Sequence, residues 1–144
     1  LYDLGVKEKN IFMLKEGKWY DMGFAKVRLE KLVHDAHNSS IQIEYNKTKK
    51  KVVYITDTGS VSHLCIKDYD LYLIESNYNS REEYEEKIKE AQEKGEYTHL
   101  IRVLGTHLSQ EDAIAWLKEN IGENSEFQFI HQHIEKESEV ENER

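Results

Sequence analysis

The chain has 144 residues, with 20 Lys and Arg against 28 Asp and Glu and a net charge of −8 at neutral pH. That length makes one domain with a real core, although 38% hydrophobic residues is low, and 33% charged residues high, for a domain that stands alone. The acidic balance excludes a generally basic nucleic-acid-binding surface, the single cysteine excludes an internal disulfide and fits a reducing, cytoplasmic compartment, and no stretch has the character of a signal peptide or membrane span.

In chain order, Ile11-Phe12-Met13-Leu14, a turn at Gly17 and the stretch 18–33 read as strands of a meander. Ala25, Val27 and Leu29 alternate with Lys26, Arg28 and Glu30, the period of a half-buried strand. Ile41, Ile43 and Tyr45 alternate in the same way with Gln42 and Glu44. The polar run from Asn46 to Lys50 then turns a hairpin into a strand at Val52. A second continuous apolar run spans Tyr69 to Glu75. Ser80 can cap a helix from Arg81 to about Lys94, with Tyr84, Ile88 and Ala91 at helical spacing and Gly95 as its stop. Ser109 opens another helix, with Glu111 and Asp112 in its first turn and a buried stripe of Ala113, Trp116, Leu117 and Ile121. Phe127 to His133 reads as a last strand, with Phe127, Phe129, His131 and His133 on one face. An acidic tail covers 135–144. A run of strands followed by alternating strands and helices makes this an α/β chain with a mixed sheet and flanking helices.

The chemistry-bearing residues cluster at the ends of these elements. Val52-Val53-Tyr54-Ile55-Thr56-Asp57-Thr58-Gly59 is a β-branched, apolar strand that stops at an Asp-Thr-Gly turn, which delivers a carboxylate at a strand tip. His34-Asp35 ends another strand. His107 precedes a helix N-terminus, where unpaired N–H groups favour an anion. His131 and His133, at i and i+2, have a spacing that suits metal ligation. Each also has a plainer reading, as a polar turn, a polar loop or a pair of surface histidines. Cys65 reads as a small buried hydrophobe, and the lysines at 47 and 49–51 as a solvated hairpin tip that can also touch phosphate. No P-loop, dinucleotide fingerprint, zinc-finger spacing or Gly-x-Ser-x-Gly elbow is present. The convergence of His34, Asp57, His107 and His133 on strand ends and helix starts points to a metal or phosphate site.

Five stretches in order complete this pattern. They are Val33-His34-Asp35-Ala36, Tyr54-Ile55-Thr56-Asp57-Thr58-Gly59 and the run from Asp70 to Asn79. Gly105-Thr106-His107-Leu108-Ser109-Gln110-Glu111-Asp112-Ala113 and, more loosely, Ile130-His131-Gln132-His133 follow. Together, over residues 20 to 135, they resemble the C-terminal half of the metallo-β-lactamase fold, in its YycJ/WalJ-type nuclease-like branch. The resemblance implies a domain over 1–134 forming half of an αββα sandwich. It implies two divalent ions, zinc or manganese, with Asp57 as the bridging carboxylate and His34 and His133 as ligands of one ion each. His107 would be a catalytic or phosphate-contacting histidine. A bridging carboxylate suits ions about 3.5–4 Å apart that clamp a phosphodiester.

The family's His-x-His-x-Asp-His cluster, which supplies most of the metal ligands, is absent from this sequence. The expectation is therefore a metal-dependent phosphodiester hydrolase acting on nucleic acid or a nucleotide, present as a half that needs an N-terminal portion. Leu1 in place of an initiator Met fits a piece of a longer chain. By itself the chain is expected to show little activity. The competing expectation is a non-catalytic assembly module that forms a homodimer through its exposed sheet. No membrane partner is expected.

Overall fold

The structure is a computed structural model and describes residues 5–96 and 99–132. Six strands form one sheet in chain order, β1 (Trp19–Asp21), β2 (Ala25–Lys31), β3 (Ser39–Tyr45), β4 (Lys51–Ile55), β5 (Leu71–Glu75) and β6 (Glu126–Ile130). The first four pair antiparallel, whereas β4, β5 and β6 are parallel neighbours. Helices α1 (Arg81–Glu93), α2 (Leu100–Thr106) and α3 (Gln110–Asn120) connect β5 to β6. This is the mixed α/β half-sandwich expected from the sequence.

Helix ends follow their capping chemistry. Ser80 and Ser109 each accept a backbone N–H three residues on, from Glu83 and Asp112, and Gly95 takes the left-handed conformation just past α1. Helix α2 has no such signature, because His99 at its start makes no side-chain cap, and no helix was expected from the sequence there. Ile11–Leu14 forms no strand, and Phe12 and Met13 are exposed. The place beside β2 is taken by Trp19–Asp21. The last strand stops at Ile130, short of the expected His133. His131 adopts φ 52°, which turns the chain out of the sheet.

The core lies on one face of the sheet. Val53, Ile55, Tyr72 and Ile74 pack against Leu108, Ala113, Trp116 and Leu117, with Val61, Leu64, Ile66 and Tyr69 of the β4–β5 connection filling between them. Buried polar bonds hold that connection to α3. Trp116 Nε1 donates to the Leu64 carbonyl at 2.9 Å, Ile66 N–H to Asn120 Oδ1 at 3.1 Å, and the Tyr72 hydroxyl to the Asn120 carbonyl at 2.7 Å. Cys65 sits between buried Leu64 and Ile66 but is itself exposed, which corrects its reading as a buried hydrophobe.

The opposite face has no covering layer among the described residues. Strand register places Leu29, Ile41, Tyr54 and Leu73 in one transverse row and Val27, Ile43, Val52 and Leu71 in the next. These apolar side chains are only partly buried, Ile41 and Tyr54 being 37% and 39% exposed. The polar partners on β3, Ser40 and Gln42, are the buried ones, and the Tyr69 hydroxyl donates to Gln42 Oε1 at 2.8 Å.

Candidate metal centre

Because β4, β5 and β6 are parallel neighbours, their C-terminal ends lie side by side at one edge, where open α/β sheets build their sites. After β4 the chain turns through Asp57, whose φ of 53° is unusual for a residue with a side chain. The turn is tied down on two sides. Asn38 Nδ2 donates to the carbonyls of Thr56 and Asp57 at 2.7 and 2.9 Å. Val33 N–H donates to Thr58 Oγ1, and Gly59 N–H to the Val33 carbonyl. Gly59 is required by proximity, since a Cβ there would stand 2.2 Å from the Gly105 carbonyl oxygen of α2. This approach seats the end of α2, and hence His107, beside Asp57.

Glu75 ends β5 and is completely buried. His107 caps the C-terminus of α2, and the segment after it is held to the β5 exit by Asn77 N–H to the Leu108 carbonyl and Gln110 N–H to the Tyr78 carbonyl. His131 leaves β6, with Ser76 N–H donating to the Ile130 carbonyl and Asn77 Nδ2 reaching the His131 carbonyl at 3.4 Å.

These placements bring one ligand atom from each of Asp57, Glu75, His107 and His131 within 4.8 Å of one another. His107 Nδ1 lies 2.6 Å from Glu75 Oε1 and 3.8 Å from Asp57 Oδ1. His131 Nδ1 lies 3.1 Å from both carboxylates. Glu75 Oε2 accepts the Thr58 N–H at 2.9 Å, so both of its oxygens are engaged. With Glu75 ionised, the proton of neutral His107 resides on Nδ1, which leaves Nε2 free for chemistry.

The donor set fits a divalent cation. Two carboxylates converge on two imidazoles, one of the carboxylates fully buried, and among the described residues no Lys or Arg pairs with either acid. A buried carboxylate needs a compensating charge, and mixed carboxylate and imidazole oxygen and nitrogen donors suit zinc or manganese. Asp57 and His131 both hold positive φ, and residues that keep such strain gather at functional sites.

Of the residues singled out from sequence, Asp57 and His107 lie in this group. His34 stands beside it: its ring is 5.8 Å from that of His107, edge to face, and its Nδ1 accepts the Ala36 N–H at 3.0 Å. His133 lies outside the described residues, as does the acidic tail at 135–144. Glu75 was not singled out, although it carries the signature that marked Asp57, a carboxylate at the tip of an apolar strand. His131 was named only with His133, as a pair on one strand face. The Lys47, Lys49 and Lys50 side chains are exposed at the β3–β4 hairpin, away from the cluster in the chain fold.

No protein-family model and no curated protein matches the chain. Solved structures do. The metallo-β-lactamase-fold protein YhfI from Bacillus subtilis superposes with a TM-score of 0.60 at 17% identity, over 86% of this chain and 44% of that one. Zn2+-bound PqqB from Methylobacterium extorquens superposes with a TM-score of 0.55 at 16% identity, over 83% and 44%. The short form of human tRNase Z gives 0.49 at 15%, over 80% and 44%. The chain thus has the fold of one half of the metallo-β-lactamase architecture, and it spans less than half the length of the structures it matches. Among the described residues, no helix is long and apolar enough to cross a membrane.

Proposed function

We propose that this chain is the C-terminal half of a metal-dependent phosphodiester hydrolase of the YycJ/WalJ-type branch. The observation that carries the reading is the group of Asp57, Glu75, His107 and His131 at the ends of three parallel strands. The ordered motifs from His34 to His131 support the branch and the substrate class, and the zinc of PqqB supports a divalent ion as the occupant.

In this reading Asp57 and His131 hold metal, His131 taking the place that the resemblance gives to His133, and His34 completes the ligands from this half. A divalent ion bound here would neutralise the phosphodiester and lower the pKa of an attacking water. Glu75 orients the His107 ring through Nδ1, so that the bare Nε2 takes the proton of the attacking water and passes it to the leaving oxygen. The remaining ligands come from a His-x-His-x-Asp-His portion. The two apolar rows on the uncovered sheet face support packing of that portion there, in one longer chain or as a partner.

The test is hydrolysis of bis(p-nitrophenyl) phosphate with Zn2+ or Mn2+. The assembly carrying both halves should be active, and His107→Ala should lower its kcat by about a hundredfold or more. Full activity of His107→Ala would remove the proton-transfer role. The open face equally favours a module that dimerises without metal. Failure of any divalent ion to bind the wild-type chain would select that reading.

A further inference from the structure

Beside the metal cluster, α1, α2 and the turn leaving β5 enclose a cavity of about 660 Å3, and His107 belongs to both. Pockets that take whole small-molecule ligands run from roughly 300 to 1,000 Å3, far more than a bare phosphate needs. Its wall carries the two kinds of group that a nucleotide requires. One is aromatic: Tyr84 of α1 packs on Tyr78, with ring centroids 4.6 Å apart and planes inclined by 34°, and Tyr78 is itself buried. A ring braced in this way loses little freedom when a base stacks against it. The other is cationic: Arg102 and Lys87 share the wall with a single carboxylate, Glu83, in a chain whose net charge is −8.

Arg102 is engaged with Asp35 through two bonds of 2.5 and 3.0 Å, but both side chains are well exposed. Exposed pairs of this kind contribute little, whereas a bidentate bond from guanidinium to phosphate is a strong one. Arg102 can therefore exchange Asp35 for a phosphate at small cost. The side-chain amide of Gln110 adds a donor and an acceptor suited to a base edge.

We infer that this cavity binds the nucleotide adjoining the scissile phosphodiester, its base against Tyr84 and its phosphate on Arg102. The substrate is then a strand with an unpaired nucleotide at the cleavage point, because a base reaches such a wall only when unstacked. The inference rests on the proposed hydrolytic reading and deepens it.

The experiment uses the 15N-labelled 144-residue chain in EDTA, titrated separately with adenosine 5′-monophosphate, adenosine and inorganic phosphate. The monophosphate should shift the amide resonances of Tyr84, Arg102 and Val103, and bind about tenfold or more tighter than adenosine or phosphate. Arg102→Ala and Tyr84→Leu should each weaken it by about fivefold or more, while Tyr84→Phe retains it. Absence of shifts on α1 and α2, or equal affinity for inorganic phosphate, would overturn the inference on the wild-type chain alone, whatever the variants do. A parallel Mn2+ titration, without EDTA, separates the two readings. Paramagnetic broadening around Asp57 and His131 without nucleotide binding would overturn the cavity alone. Nucleotide binding without broadening would overturn the metal centre and leave the cavity standing.

Discussion

Glu75 has no exposed surface, yet it faces two imidazoles and a backbone N–H, so its substitution separates structure from chemistry. Glu75→Ala strands the Thr58 N–H and leaves both rings unsupported. It should cost about 1–3 kcal/mol in urea denaturation. Glu75→Gln keeps the volume and an acceptor for Thr58 but removes the negative charge opposite His107. Its stability should change less, while zinc affinity measured against a chelating dye falls by about tenfold or more. Gly59→Ala forces Gly105 and the last turn of α2 to move, and should cost about 1–3 kcal/mol. At this scale the sequence was partly legible. Asp57 stood out because a β-branched run ended on it, whereas Glu75 was followed by Ser76-Asn77 and merged with a polar stretch. Alternation along β6 extends on paper to His133, and nothing in the residue pattern reveals the positive φ that takes His131 out of the strand and into the cluster.

Elements were legible where their ends carry chemistry. α1 and α3 have serine caps and were found close to their observed bounds, while α2 starts at His99 without a cap and was missed. Ser109 is nearly inaccessible. Its Oγ accepts the Asp112 N–H at 3.0 Å and donates to Asp112 Oδ2 at 2.8 Å. Ser109→Ala should destabilise the chain by about 1 kcal/mol, read from the urea midpoint at constant slope. The β4–β5 connection carries a pH signature. Burial pushes the Tyr69 phenol from 10.0 up to about 12. A group whose pKa is raised on folding contributes its full stability below the unfolded value and loses it as pH rises through the folded one. Stability should therefore decline between about pH 10 and 12. Tyr69→Phe should flatten that decline in urea titrations across this window.

At the scale of the whole molecule, the informative feature is a sheet with one packed face and, among the described residues, one open face. Parallel strands are normally covered on both sides, and here β4 and β5 carry Val52, Tyr54, Leu71 and Leu73 on the open side. Alternation in β3 separated isoleucines from polar residues, but it could not tell which set meets the helices. The helix side received Ser40 and Gln42, whose polar groups bond there to the Glu30 carbonyl and the Tyr69 hydroxyl, and the isoleucines lie on the open side. The chain alone should bind an apolar dye and self-associate at micromolar concentration. The double variant Ile41→Lys, Tyr54→Lys should sediment as a monomer with stability changed by less than about 1 kcal/mol.

The account stands on a divalent ion being held by Asp57 and His131 beside the Glu75–His107 pair, and metal content tests this directly. The purified chain is dialysed with excess Zn2+, then against metal-free buffer, and analysed by inductively coupled plasma mass spectrometry beside the double variant Asp57→Asn, His131→Ala. Retention of about one zinc per wild-type chain and its loss from the folded double variant is the predicted result. A wild-type chain that retains no zinc, or a double variant that retains as much, would contradict it.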